Sequence, residues 1–147
     1  MDTLHMAGHL IRRLHQQSTA VFVQRTQAAG FDLTPVQFAA LDAIHTHPGS
    51  DQARVAELIG YDRATIGGVI DRLDKKGWVL RVVSERDRRA RELSLTAEGA
   101  LVRAAVLPTV RDLQQAILPG LSAPQREQFL ALARKAIALD EAAPSTK

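Results

Sequence analysis

Residues 51–95 read DQARVAELIGYDRATIGGVIDRLDKKGWVLRVVSERDRRARELSL, and this stretch decides the fold. Asp51 or Ser50 can cap a short helix, Gln52 to Ile59, with Val55, Leu58 and Ile59 on its inner side. Gly60 supplies the left-handed residue of a turn. Asp62 can cap a second helix from Arg63 to Lys76, whose inner face is Ile66, Val69, Ile70 and Leu73. Gly77 stops it. Trp78 to Ser84 and Arg91 to Leu95 then read as strands around the tip Arg86-Asp87-Arg88-Arg89-Ala90. Two helices across a tight turn, followed by a hairpin with a basic tip, have the layout of a winged helix-turn-helix.

Charge is concentrated in the same stretch. Residues 54–91 hold ten Lys/Arg against six Asp/Glu, and the rest of the chain holds nine against ten. The positive field is therefore local, which is the footprint of a partner such as double-stranded DNA.

Successive helical residues turn by about 100°. On the second helix the apolar face thus lies opposite Ala64, Gly68, Asp71 and Lys75, with Arg63, Thr65, Gly67 and Arg72 on the flanks. Two glycines inside a helix cost roughly 1 kcal/mol each relative to alanine. On an outward face they permit close approach of another backbone, such as a major groove offers. Tight helix packing or simple drift is the alternative. Arg63 and Thr65 are placed to reach base edges or phosphates, and Arg72, Lys75 and Lys76 to meet phosphates. At the tip, Arg89 suits a narrow, electronegative minor groove and Asp87 suits an internal partner that orients it. A solvated charged turn is the plain alternative there.

The flanking chain is helical. Leu4, Ala7, Ile11, Leu14, Ser18 and Val21 form one stripe of a first helix over residues 4–28. Gly30 ends it. Thr34-Pro35-Val36-Gln37 opens the next with a capping box, and Phe38, Leu41 and Ile44 face inward. His47-Pro48-Gly49 stops that helix. After the hairpin, Thr96 caps a long helix to about Leu118, which Pro108 should kink. Ser122-Ala123-Pro124-Gln125 opens a last helix that carries Phe129, Leu132, Ile137 and Leu139, and residues 141–147 read as a flexible tail.

A chain of 147 residues supports a single domain with a real core, mainly α with a small β-hairpin wing. Cysteine is absent, which excludes disulfides, thiol nucleophiles and thiolate metal sites. There is no apolar run long enough for a membrane span and no secretory signal pattern, so a cytoplasmic location is expected. No nucleophile motif, phosphate loop or paired-carboxylate constellation is present, so an enzyme is not expected. No cofactor is expected either.

The segments Asp71-Arg72-Leu73-Asp74-Lys75-Lys76-Gly77 and Asp87-Arg88-Arg89-Ala90-Arg91, the latter followed by Leu95-Thr96-Ala97-Glu98-Gly99, resemble the multiple-antibiotic-resistance regulator (MarR) family at the family's spacing. The resemblance covers nearly the whole chain. It implies a homodimer, with residues 1–33 and 97–140 as dimerisation helices and 34–96 as the winged unit. It also implies repression at a pseudo-palindromic operator, with Arg89 in the minor groove and Asp87 supporting it. Gly67-Gly68 departs from the bulkier residues usual in the family and leaves base contacts open. Many members release DNA when a small aromatic acid enters a cleft between the dimerisation helices and the winged unit. The opening Gly8-His9-Leu10-Ile11-Arg12-Arg13-Leu14-His15-Gln16 is similar to the aromatic-catabolism branch, where a first-helix arginine anchors the ligand carboxylate, and to repressors of nicotinate degradation in particular.

Residue chemistry points the same way. His5, His9, Arg12, Arg13 and Gln16 form one polar face of the first helix. An arginine fork fits a carboxylate bidentately, and histidine can donate to or stack on an aromatic ring. His45 and His47 could close the same cleft. The alternatives are a merely solvated face, or His5 and His9 sharing a zinc ion with no further ligand set in view. A winged protein without an effector, architectural in role, is the competing function.

Overall fold

The computed structural model describes residues 1–83, 85 and 91–137. A 3-10 turn at Asp2–His5 precedes α1 (Ala7–Ala28), α2 (Pro35–Thr46), α3 (Gln52–Ile59) and α4 (Ile66–Lys75). The hairpin strands are β1 (Val79–Val83) and β2 (Arg91–Leu95), followed by α5 (Ala97–Ile117) and α6 (Ala123–Ala136). The expected element order holds. Ser84, Leu139 and the tail from 141 lie outside the described residues.

Capping chemistry sets most boundaries. The Thr34 hydroxyl accepts from the Gln37 N–H, and the Gln37 side chain accepts from the Thr34 N–H, both at 3.1 Å. Asp51, not Ser50, caps α3, accepting from the Arg54 N–H at 2.8 Å. Gly60 takes the left-handed conformation at φ 66°. Ser122 and Gln125 repeat the reciprocal cap at the start of α6. α5 continues past Pro108 as one element.

The first helix starts later than the sequence suggests. Met6 is extended, at φ −84° and ψ 137°, and separates the 3-10 turn from α1. No side chain caps α1, and Gly8 in its first turn weakens any extension toward Leu4. His5 therefore stands outside α1.

The core is one cluster drawn from α1, α2, α3, α4, the hairpin and α5. Leu41, Val55, Ile70, Leu73, Leu93 and Val106 are fully buried in it. Each such side chain contributes on the order of 1.5–3 kcal/mol relative to exposure. β1 and β2 pair antiparallel, Val79 opposite Leu95 and Val83 opposite Arg91. The Leu93 N–H donates to the Ser50 carbonyl at 2.8 Å, so the loop before α3 is tied to the wing. Thr96 donates its hydroxyl to the Gly77 carbonyl at 2.6 Å and its N–H to the Trp78 carbonyl at 3.0 Å. These bonds tie the start of α5 to the end of α4.

α6 has no buried residue: Leu132 is 57% exposed and Phe129 half-buried, and Ile137, just past its end, is 64% exposed. The apolar stripe of α1 is likewise only partly covered, with Ile11 65% exposed. These residues line an open groove of about 920 Å³ between α1, α5 and α6. Among the described residues no further layer covers them. No helix among the described residues is long and apolar enough to cross a membrane.

Candidate nucleic-acid interface

α4 is built as a two-faced element. Ile66, Val69, Ile70 and Leu73 are each at most 5% exposed, whereas Gly68, Asp71, Arg72 and Lys75 face solvent. The four inward residues recur at helical spacing and dock on α2, α3 and β1, which fixes the outward face.

The helix does not begin at Arg63. Arg63, Ala64 and Thr65 form an exposed turn, and α4 starts at Ile66. Asp62 organises that turn. Its carboxylate accepts from the Ala64 N–H at 3.2 Å, and its carbonyl accepts from the Thr65 hydroxyl at 3.2 Å. A short acceptor favours such a turn over one more helical turn. Thr65 is thus already engaged through its hydroxyl, while Arg63 projects from the turn ahead of α4.

Neither glycine of α4 is demanded by internal packing. A β-carbon on Gly68 would meet nothing within 4 Å, and one on Gly67 would make ordinary contact with the Gln52 side chain at 3.5 Å. Tight helix–helix packing therefore does not explain the pair.

The cations divide into two groups. Among the described residues, no carboxylate lies within ion-pair distance of Arg63, Arg72 or Lys75. Lys76, expected at a phosphate, is instead turned inward. Its ammonium donates to the Asp32 carbonyl, lies 3.4 Å from Gln37 Oε1 and sits 4.7 Å above the Trp78 ring. These acceptors and the ring face hold the charge at the end of α4 rather than on the outward face.

Arg81 is the residue that sequence reasoning missed. Projecting from β1, it binds the carboxylate of Asp71 and lies 3.5 Å from that of Asp74. Its signal was present as a cation on the inward register of β1, between Val79 and Val83, near two acids one helical turn apart. The Arg81 hydrogen bond holds the Asp71 carboxyl below its ordinary range, against an opposing effect of desolvation, with the Arg81 and Lys75 charges assisting. Arg86, Asp87, Arg88 and Arg89 of the wing tip lie outside the described residues.

The polar candidates on the first helix do not form one constellation. His9, Arg12, Arg13 and Gln16 share a face of α1, and the His9 ring Nδ1 is 3.1 Å from Arg12 Nη2. His5 is on the preceding 3-10 turn, so the expected His5–His9 spacing of one helical turn is not realised. His15 lies on the other side of α1 and lines the open groove with Leu14, Ser18 and Arg126. His47 lines a separate shallow cavity of about 370 Å³ with Phe38, Asp42 and Ile59, which includes no α1 residue. Among the described residues no group of His, Cys, Asp or Glu is arranged to hold a metal ion.

A profile described as MarR family matches residues 31–90. The HTH-type transcriptional repressor NicR of Pseudomonas putida is 36% identical over 140 residues, covering 95% of this chain and 87% of NicR. Among solved structures, the PcaV transcriptional regulator of Streptomyces coelicolor in complex with its natural ligand superposes with TM-score 0.84 and 32% identity, covering 96% of this chain and 98% of PcaV. BpsR of Bordetella bronchiseptica, whose DNA binding is regulated by 6-hydroxynicotinic acid, superposes with TM-score 0.84 and 29% identity, covering 92% of this chain and 95% of BpsR.

Proposed function

The chain belongs to the MarR family of transcriptional regulators, and from that premise we propose that it is a homodimeric repressor released from its operator by a small aromatic carboxylate. The observation that carries the DNA part is the outward face of α4. It has cations with no carboxylate partner among the described residues and a side-chain-free segment, and it adjoins a hairpin whose sequence continues into four arginines at and beyond the tip. Such a face gains affinity by displacing counterions from phosphates, so binding should weaken steeply with salt. In this reading Arg63, Ala64, Thr65, Gly67 and Gly68 approach base edges, Arg72 and Lys75 meet phosphates, and Arg89 enters the minor groove with Asp87 beside it.

A second copy of the chain fits the groove between α1, α5 and α6. Exposed Ile11, Leu132 and Ile137 are apolar surface that a monomer leaves wet. Dimerisation would space two α4 helices for two half-sites.

The effector part rests on the His9–Arg12 pair. Arg12 offers an exposed planar fork already neighboured by an imidazole. BpsR, whose DNA binding is regulated by 6-hydroxynicotinic acid, supports this class of ligand. Release would follow if the acid binds the DNA-incompetent spacing of the dimer more tightly than the competent one. Titration of 6-hydroxynicotinate and other hydroxylated aromatic acids into the protein–DNA complex tests this. Dissociation with thermal stabilisation of the free protein is expected. No dissociation and no stabilisation by any such acid removes the effector from the account.

A further inference from the structure

Asp71 poses a problem for a DNA-binding helix. It lies on the outward face of α4, between Gly68 and Lys75, and its side chain is 57% exposed. A bare carboxylate there would face phosphates of like charge. Asp74, one turn on, is 51% exposed and adds a second acid. The protein answers with Arg81, whose side chain is only 19% exposed and reaches from β1 across to both.

Resting on the DNA-binding function above, we propose that Arg81 is a positioning residue: its guanidinium bridges Asp71 and Asp74, which fixes the pitch of the wing against α4 and screens two acids from the DNA. The geometry supports both roles. A planar fork engaging acids on successive turns of one helix resists both sliding and rotation of β1 over α4. β1 leads directly into the wing tip, so its pitch sets where the tip arginines arrive. The Arg81 hydrogen bond lowers the Asp71 pKa, so the carboxylate that the fork engages is the favoured form. A lysine at this position would supply charge but could not hold both acceptors in one plane.

The proposal separates affinity from discrimination. Losing Arg81 exposes two negative charges, which weakens binding to every duplex, and it frees the wing, which weakens the preference for the operator. The test uses the full chain and a duplex selected by the wild type from a random pool, with an unrelated duplex as reference. Arg81→Ala should bind the selected duplex about tenfold or more weakly. Adding Asp71→Asn and Asp74→Asn to that variant should restore general affinity but not the ratio between the two duplexes. Arg81→Lys should restore affinity more than the ratio. A folded Arg81→Ala protein with wild-type affinity and ratio overturns the proposal while leaving the DNA function standing. If Arg81→Ala does not fold, the Asp71→Asn/Asp74→Asn double variant decides: tighter binding to the unrelated duplex with a lower ratio supports the clamp, and an unchanged ratio overturns it. No duplex binding by the wild type overturns the DNA function and the clamp together.

Discussion

Arg103 of α5 grips Asp42 of α2 through two nitrogens, Nε at 3.0 Å and Nη2 at 2.7 Å from the same carboxylate oxygen. The Arg103 side chain is 15% exposed, so the contact is partly shielded from water. It joins the helix that leads toward the open groove to the first helix of the winged unit. Arg103→Ala should cost about 1–2 kcal/mol, because it leaves Asp42 without its partner. For a chain of this size that lowers the melting temperature by roughly 2–8 °C at fixed protein concentration. An unchanged melting curve would show that the bridge contributes no net stability between the two regions.

Gly99 and Gly68 should respond to alanine in opposite directions. A β-carbon on Gly99 would lie 2.0 Å from the Trp78 carbonyl oxygen, so α5 would have to move off the hairpin. Gly99→Ala should therefore destabilise by about 1–3 kcal/mol. Gly68→Ala meets open space and should stabilise the free protein by up to about 1 kcal/mol. If Gly68 serves the DNA groove, the same change weakens operator binding despite the added stability. Denaturant midpoints and binding curves for both variants check this. A Gly68→Ala protein that is stabler and binds unchanged would remove that role.

How far the sequence reached depends on what each residue leaned on. Ile66, Val69, Ile70 and Leu73 were legible because a buried stripe repeats with the helix itself, and Thr34–Gln37 because a cap is local. Lys76 and Arg81 were not. A cation turned inward and a cation turned outward look alike in sequence, and only the placement of Trp78, Gln37 and the two acids of α4 distinguishes them. Phe129, Leu132 and Ile137 were legible as apolar residues of a dimerisation helix, but the open groove they line between α1, α5 and α6 depends on how the three helices pack. His5 was misplaced because a break at Met6 follows from a missing cap and a glycine, signals weaker than the apolar period that runs through them.

Acid should dissolve the Arg81–Asp71 contact. Asp71 is held below the ordinary carboxylate range when folded, so its contribution is complete above the unfolded value of about 3.9. It is lost as pH falls through the lower folded value. Asp71→Asn should consequently be less stable than the wild type near neutrality, with the difference shrinking as pH drops below about 4. Paired thermal melts across that range check it. A constant difference would mean that the contact does not depend on ionised Asp71.

Arg12→Ala and Arg13→Ala separate sensing from structure. If Arg12 anchors the effector, its loss should leave operator affinity within about twofold and abolish release by 6-hydroxynicotinate, whereas Arg13→Ala should retain release. Loss of DNA binding together with the response would assign Arg12 to the dimer structure instead. Fluorescence anisotropy on a labelled duplex, with and without the acid, reads both outcomes.

In vitro selection from a random duplex pool, combined with the mass of the resulting complex, shows whether two copies of the chain read one site. Enrichment of a pseudo-palindrome bound by two copies is expected, with enrichment abolished by Arg89→Ala. No enriched sequence, or a single half-site bound by one copy, would contradict it.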